Sequence, residues 1–314
     1  MSKLAFLFPG QGSQAVGMGK SFFDIDQDVK NAFQKADDAL GFSLSELMLN
    51  GPDETLTKTE NAQPALLLVS AVIHDRLKKD GIEPALVAGH SLGEYSALYA
   101  AGVLSLEDAI KVVHERGKLM EKAVPSGEGT MAAVLGMKDE DIRKVTDQVT
   151  AAGDVVNVAN YNCPGQIVIS GSVAGVEKAS EQLKEAGAKR VLPLNVSGPF
   201  HSELMKPASI EFQAVLDSVT FQEAAIPVYA NVHAKPVTSS DEIKQLLIEQ
   251  LYSPVQFAQT IENILEEDVD AFVEVGNGKV LSGLVKKVHR RAKVFAVQDV
   301  DTYEKFLDWT KEEA

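Results

Sequence analysis

Cysteine and long apolar segments are scarce in this chain of 314 residues. The single cysteine, Cys163, cannot form an intramolecular disulfide and excludes a zinc site built from several thiolates. No apolar run approaches the ~20 residues that a membrane-spanning helix needs, and the apolar stretch after Met1 is too short for a signal peptide. We therefore expect a cytoplasmic protein that does not bind a membrane.

Basic residues are also few relative to acidic ones. The 30 Lys and Arg against 45 Asp and Glu give a formal net charge of −15. Such a charge repels phosphate backbones, so we expect no nucleic-acid partner. The 45% hydrophobic and 24% charged residues are typical of a globular protein, and the length allows one large domain or two unequal ones.

Short apolar runs typical of buried strands alternate with longer segments of helical periodicity. Clear helical periodicity spans residues 62–79 and 106–123. The apolar runs lie at 4–8, 86–89, 228–230, 271–275 and, more weakly, 293–297. This alternation predicts an α/β fold in which helices cover both faces of a parallel sheet.

The pattern changes between residues 127 and 195, where it predicts strand, helix, strand, strand, helix and strand. This βαββαβ order is the ferredoxin-like arrangement, and Gly- and Pro-containing breaker clusters flank it. We therefore predict a small ferredoxin-like domain at 126–198. It is inserted into a large α/β-hydrolase-like domain with a parallel central sheet, formed by 1–125 and 199–314, and a cleft should lie where the two meet.

The motif Gly89-His-Ser-Leu-Gly follows a predicted strand and precedes an Ala-rich helical segment. Small residues two positions before and after Ser91 permit a sharp strand-to-helix turn that exposes the hydroxyl, as in a nucleophile elbow. The first N–H groups of a helix lack internal partners, so the Leu92 N–H is a candidate oxyanion donor. The alternative is a Gly-rich turn with a non-catalytic serine, but the surrounding strand and helix favour catalysis.

A catalytic serine needs a base, and the chain contains six histidines. Two lie in helical patterns, one lies in a basic stretch, and His90 directly precedes Ser91 and is better suited to supporting the turn. His201 and His233 follow predicted strands, where sites gather in open α/β sheets. We prefer His201 because it lies where the inserted domain returns to the large one. No carboxylate stands out as a third member.

Two further segments have a functional and a structural interpretation. The Gly-rich loop around Gln11 matches neither the dinucleotide nor the Walker pattern, so it is either an oxyanion-hole loop or a simple turn. Arg116 lies in a helical pattern beside Gly117, and because glycine costs about 1 kcal/mol in a helix, Gly117 indicates a close approach there. From the residues alone, a solvated surface arginine is the better interpretation of Arg116.

The C-terminal region contains a basic stretch that no acidic residue interrupts between Glu274 and Asp299. In so acidic a chain, such a stretch is suited to docking an acidic or phosphorylated partner. From the residues alone, a solvated helix face is somewhat favoured. Its basic residues are Lys279, Lys286, Lys287, Arg290, Arg291 and Lys293.

Several motifs taken together resemble one enzyme family over nearly the whole chain, from Phe8 to about Val288. The family is that of the bacterial malonyl-coenzyme A:acyl carrier protein transacylases, with the related acyltransferase domains of fatty-acid and polyketide synthases. The motifs are Gly10-Gln-Gly-Ser-Gln, Gly89-His-Ser-Leu-Gly-Glu, Glu115-Arg-Gly, Gly198-Pro-Phe-His-Ser, Tyr252-Ser-Pro-Val-Gln and Glu274-Val-Gly-Asn-Gly-Lys.

The resemblance implies a ping-pong transfer of a malonyl group from malonyl-CoA to the pantetheine thiol of acyl carrier protein, for fatty-acid elongation. Ser91 is then the nucleophile and His201 the general base. The resemblance further implies that the backbone carbonyl of Gln250 orients the histidine, and that Gln11 and Leu92 donate the oxyanion N–H groups. No metal or redox cofactor is implied, since a side chain or a backbone amide fills each chemical role, and the CoA thioester is a substrate. We expect a monomer.

The resemblance also reverses the interpretation of Arg116, which matches the residue that binds the free malonyl carboxylate. It implies a guanidinium about the length of a three-carbon diacid from the serine hydroxyl, with Phe200 and Met120 beside the acyl group. It favours Lys286, Lys287 and Arg290 as carrier-docking residues. The alternatives are a serine esterase or thioesterase, a polyketide-pathway acyltransferase, and a non-catalytic carrier-binding module.

Overall fold

The computed structural model describes residues 2–125 and 127–312, which form two β-sheets with surrounding helices. The strands are β1 (Leu4–Phe8), β2 (Leu86–Gly89), β3 (Gly129–Leu135), β4 (Val156–Cys163), β5 (Gln166–Ser172), β6 (Arg190–Pro193), β7 (Val228–Tyr229), β8 (Pro236–Val237), β9 (Ala271–Val275) and β10 (Val294–Val297). The α-helices are α1 (Lys20–Ile25), α2 (Gln27–Leu40), α3 (Leu44–Asn50), α4 (Asp53–Thr57), α5 (Thr59–Lys79), α6 (Gly93–Ala100), α7 (Leu106–Lys122), α8 (Asp139–Ala151), α9 (Val173–Glu185), α10 (Lys206–Asp217), α11 (Ser240–Gln250), α12 (Phe257–Leu265), α13 (Val280–Val288) and α14 (Val300–Glu312).

The larger sheet has the strand order β10-β9-β1-β2-β7-β8. Its first five strands are parallel, and the central strands β1 and β9 are buried along their whole length, as expected for apolar runs covered on both faces. The predicted parallel sheet is therefore confirmed. The short strand β8, which pairs antiparallel with β7 at one edge, and the four helices α1 to α4 were not predicted.

The smaller sheet is antiparallel, with the order β4-β5-β3-β6. It carries α8 and α9 and has an apolar core of its own, so the predicted βαββαβ order and ferredoxin-like arrangement are confirmed. The boundaries 126–198 stay a prediction. Three of the predicted domain boundaries lie outside the described residues. They are residue 126, where the small domain should begin, and residues 1 and 314, the outer limits of the large domain.

Helices α5 and α7 pack closely beside the larger sheet, and Gly117 of α7 lies at their contact. A Cβ at this position would lie 2.6 Å from Cα of Glu60, nearer than atoms can approach. The close approach that Gly117 predicted is therefore confirmed. It determines how near the side chains of α7 come to those of α5.

Within residues 2–125 and 127–312, no helix combines the length and the apolar character needed to cross a membrane. In the same two ranges, no three His, Cys, Asp or Glu side chains lie close enough together to hold a metal ion.

We expect Gly117→Ala to lower the free energy of unfolding by about 1–3 kcal/mol, because the added methyl group forces α5 and α7 apart. Urea unfolding followed by circular dichroism measures this change. The matched control is Gly283→Ala in α13, where the added Cβ has no neighbour within 4 Å. Since alanine favours helices over glycine by about 1 kcal/mol, the control should be neutral or more stable; equal losses in both variants would contradict the packing argument.

Candidate active site

Ser91 lies in a strained turn between β2 and α6. Its φ of 51° is in the left-handed region, which residues with a side chain rarely adopt. A Cβ at Gly89 would lie 1.9 Å from the carbonyl carbon of Gly93, and a Cβ at Gly93 would lie 2.0 Å from the carbonyl oxygen of Phe8. Only glycine fits at both positions, which is the steric reason for the spacing of the motif.

Side chains from distant elements hold this turn. Asn231, just after β7, accepts a hydrogen bond from the Ser91 N–H (2.7 Å) and donates one to the Gly89 carbonyl (2.7 Å). Gln250, the last residue of α11, donates from Nε2 to the Ser91 carbonyl (3.1 Å). These bonds offset the backbone strain and keep the hydroxyl in one position. Asn231 was not among the residues predicted from the sequence, although it lies two residues before the candidate His233.

His201 contacts Ser91 directly. Its Nε2 lies 2.8 Å from Ser91 Oγ, and its Nδ1 lies 2.8 Å from the backbone oxygen of Gln250. A carbonyl oxygen only accepts, so Nδ1 carries the proton and Nε2 is free to accept one from the serine. The carbonyl is available because it belongs to the last turn of α11, whose carbonyls have no partner within the helix.

The surroundings of His201 keep its imidazole neutral. The ring is buried, and burial together with the positive charge of Arg116 lowers its pKa to about 3, although hydrogen bonds to the Gln250 and Ser253 backbone act in the opposite direction. His90 has a pKa lowered by burial, and its Nε2 lies 2.8 Å from Asn162 Oδ1 in the smaller sheet. The His90 ring is therefore hydrogen-bonded to the smaller sheet and not to the Ser91 hydroxyl.

Arg116 is 1% exposed and lies directly behind Ser91. Its Nη1 donates to Gln63 Oε1 (2.7 Å), and its Nη2 donates to Gln250 Oε1 (2.8 Å) and to Ser91 Oγ (3.2 Å). The interpretation of Arg116 as a solvated surface residue is wrong, because α7 turns this side chain toward α5 and α11. The expected separation of a diacid's length is also wrong for the free protein, since the hydroxyl itself accepts from the guanidinium.

A cleft of about 370 Å³ lies between the two sheets, as predicted from the insertion. Ser91 and His201 face it, and the smaller sheet contributes Met131 and Asn160 together with the returning segment 194–197. The predicted acyl-pocket residues Met120 and Phe200 also line it. The cleft therefore gives a small molecule access to the serine and the histidine.

Both predicted oxyanion residues lie next to the turn. Leu92 directly precedes α6 and is buried. Gln11 lines the cleft, its side chain donates to Thr59 Oγ1 (3.1 Å), and the preceding Gly10 is so close to the turn that a Cβ there would lie 2.3 Å from the His90 carbonyl oxygen. The loop and the start of α6 therefore meet at Ser91.

The predicted docking residues lie outside the cleft, on and just after α13. Lys286 Nζ donates to the Ala292 carbonyl (2.5 Å), and Lys287 Nζ donates to Gln166 Oε1 (3.0 Å) at the start of β5. Arg290 is exposed. The basic stretch thus borders the smaller sheet, and Lys286 is hydrogen-bonded to the segment that follows its own helix.

Comparison with known proteins gives concordant results. A profile of the acyl transferase domain family matches residues 5–311. The chain is 55% identical over 313 residues to malonyl CoA-acyl carrier protein transacylase of Bacillus subtilis strain 168, covering 100% of this chain and 99% of the relative.

Two solved structures are similar to this one over nearly their whole length. One is an acyl carrier protein S-malonyltransferase from Vibrio cholerae, with a TM-score of 0.95, 46% identity and coverage of 97% of this chain and 100% of that one. The other is a malonyl-transacylase in complex with its type II PKS acyl-carrier protein, with a TM-score of 0.95, 43% identity and coverage of 98% and 99%. The chain therefore belongs to the acyl transferase domain family and, within it, to the malonyl-CoA–acyl carrier protein transacylases.

Proposed function

We propose that this protein transfers the malonyl group of malonyl-CoA to the pantetheine thiol of acyl carrier protein through an ester on Ser91. The observation that carries the proposal is the 2.8 Å contact between Ser91 Oγ and His201 Nε2, with both residues lining one cleft. Membership of a family whose relatives are called malonyl CoA-acyl carrier protein transacylases supports the choice of substrates.

In the first half-reaction, His201 Nε2 accepts the proton of Ser91 as Oγ attacks the thioester carbonyl. The C–O bond forms, the C–S bond breaks, and the departing CoA sulfur takes the proton from His201. The N–H groups of Leu92 and Gln11 stabilise the negative oxygen of the intermediate, and loss of one such donor typically costs about 10²- to 10³-fold in rate. The neutral imidazole is ready to accept the proton without first losing one.

In the second half-reaction the carrier thiol replaces CoA. His201 accepts the thiol proton, the sulfur attacks the ester carbonyl, and the proton returns to Ser91 Oγ as the ester bond breaks. Because Gln250 holds Nδ1 through its carbonyl in both halves, the ring keeps one orientation and one tautomer throughout. The Gln250 carbonyl takes this role, so no carboxylate is needed as a third member beside Ser91 and His201.

Arg116 is the proposed binding residue for the free malonyl carboxylate. Its buried Nε has no hydrogen-bond partner among the described residues, so the guanidinium has unused donor capacity. When Ser91 becomes an ester, Oγ is a weaker acceptor and Nη2 is released for the carboxylate. Met120 and Phe200, which line the same cleft, would contact the acyl group.

The alternatives differ in the group that receives the acyl chain. A serine esterase would pass the acyl group to water. A buried guanidinium does little to stabilise a neutral ester, which argues against this alternative. A non-catalytic carrier-binding module would not need the contact between Ser91 and His201. Fatty-acid elongation is the proposed destination of the malonyl group, and transfer to a polyketide carrier is the alternative. The monomeric state and the cytoplasmic location stay predictions.

Incubation with malonyl-CoA should add one malonyl group to Ser91, and peptide mass spectrometry should find no adduct in Ser91→Ala.

Arg116→Ala should lower kcat/KM for malonyl transfer by an amount equivalent to about 2–5 kcal/mol, the cost of truncating one partner of a buried charge pair. Acetyl transfer should fall much less or rise. The measurement is transfer of labelled malonyl and acetyl groups to carrier, CoA and water. A parallel fall of both acyl groups would contradict the role of Arg116, and release mainly to water would favour the esterase.

The pKa of about 3 for His201 lies below the usual histidine value of about 6.5. Because a lowered pKa keeps the neutral form down to more acidic pH, we expect the His201 ring not to titrate between about pH 5 and 8. NMR of protein labelled at histidine carbons measures this, with His201→Asn assigning the signal. A titration midpoint near the usual value would contradict the described surroundings of the base.

We also propose that Lys287 and Arg290, with Lys286, dock the acidic carrier. Support comes from their position beside the smaller sheet and from the local positive charge in an otherwise acidic chain. Lys287 and Arg290 are the stronger candidates, because the amine of Lys286 already donates to the backbone of its own segment.

Reversing the charge of Lys287 and Arg290 to glutamate should raise the KM for acyl carrier protein several-fold and flatten its dependence on salt. The KM for malonyl-CoA in acyl-enzyme formation should change little. Steady-state kinetics at two ionic strengths provide the measurement. The control is the double variant Lys305→Glu/Lys311→Glu, which changes the net charge by the same amount at two exposed lysines on α14. Equal effects in the control and the test variant would show that only net charge matters.

A further inference from the structure

Glu94 is a buried carboxylate that the proposed reaction does not use. It lies in the first turn of α6 and is 3% exposed. Its Oε2 accepts a short hydrogen bond from Gln250 Nε2 (2.6 Å) and another from the Asn231 backbone N–H (3.1 Å). The side chain therefore touches two residues that hold the Ser91 turn.

Arg116 is a buried cation whose hydrogen bonds go to two amides and a hydroxyl, and within residues 2–125 and 127–312 it forms none to a carboxylate. An uncompensated buried charge is strongly unfavourable, so a negative charge nearby is expected. The amide of Gln250 connects the two ions: Oε1 accepts from Arg116, and Nε2 donates to Glu94. Opposite charges are thus separated by a single amide group.

This separation has a chemical consequence. A carboxylate in direct contact with the guanidinium would fill the donors that a substrate carboxylate needs. With the Gln250 amide between them, the negative charge of Glu94 still acts on Arg116, but the carboxylate oxygens do not occupy the N–H donors of the guanidinium. Burial raises the pKa of Glu94 to about 7, and the two N–H donors and Arg116 oppose that rise.

We propose that Glu94 is the resident counter-ion of Arg116, held one amide away, and that its charge limits how tightly the site binds an acyl carboxylate. Glu94 is a positioning residue, since it acts on substrate only through Arg116 and Gln250. The identity of the bound carboxylate as malonyl rests on the proposed function. A malonyl group brings a second negative charge near the same cation, so Glu94 weakens its binding and favours onward transfer.

The first test is independent of substrate. Thermal unfolding is measured for Glu94→Gln, Arg116→Met and the double variant at about pH 8, on the alkaline side of the Glu94 pKa of about 7. Glu94→Gln keeps an acceptor oxygen but removes the charge, so it should lower Tm clearly when Arg116 is present and little or not at all in Arg116→Met. Equal losses in both backgrounds would overturn the proposal.

The matched control for this cycle is Glu274→Gln. Glu274 is also fully buried, but its carboxylate accepts from Leu281 and Ser282 at the start of α13. Glu274→Gln should lower Tm by the same amount with and without Arg116. If the single Glu94→Gln protein does not fold, the double variant decides: a folded double variant supports the proposal, and an unfolded one contradicts it.

The second test measures binding in a Ser91→Ala background, which cannot form the ester. Titration calorimetry at about pH 8 compares malonyl-CoA with acetyl-CoA. Adding Glu94→Gln should tighten malonyl-CoA binding on the order of tenfold, as expected for loss of a like charge a few ångströms beyond the cation, and leave acetyl-CoA nearly unchanged. A merely structural role would weaken both ligands or neither, so unchanged or weaker malonyl-CoA binding would overturn the inference.

The two tests separate this inference from the proposed function. If Ser91→Ala binds malonyl-CoA no better than acetyl-CoA, and the wild-type protein forms no malonyl-serine, the proposed function fails. The thermal cycle would still decide whether Glu94 compensates Arg116.

Discussion

Gln250 makes the contacts on which the site depends. Its backbone oxygen holds the proton-bearing side of His201, its side-chain oxygen accepts from Arg116, and its amide nitrogen donates to Glu94 and to the Ser91 carbonyl. One buried residue at the end of α11 thereby sets the relative positions of base, cation and strained turn. An amide suits this position because it donates and accepts at once, which neither a carboxylate nor a cation could do.

The two sheets contribute different parts of the site. The larger one brings the ends of β1, β2 and β7 to one edge, where the Gln11 loop, Ser91 and Asn231 follow their strands, as is usual for sites in open parallel sheets. The smaller one closes the cleft from the opposite side. His201 lies where the chain returns from the smaller sheet, and residues of that sheet line the cleft together with Ser91 and His201.

Charge is distributed unevenly in this protein. The chain is strongly acidic overall, yet a buried guanidinium lies behind Ser91 and a basic stretch borders the smaller sheet. The buried cation is tolerated because amides surround it and Glu94 lies one amide away. The same cation helps to keep His201 neutral. The residue proposed to bind the acyl carboxylate is thus also one that lowers the pKa of the proposed base.

Local patterns in the sequence were enough to predict the strands and main helices, the βαββαβ order of the smaller sheet, the close approach at Gly117 and the turn at Ser91. The partners that make glycine necessary were not predictable in this way, because Gly93 approaches Phe8 and Gly117 approaches Glu60, which are distant in the chain. Its motifs also pointed to the family and to Ser91, His201 and Arg116. The packing of the folded chain was needed to show that Arg116 is buried against the serine, and that Asn231, Gln63 and Glu94 belong to the site. These residues come from separate elements, and which faces of α5, α6, α7 and α11 meet depends on long-range packing, which local periodicity does not encode.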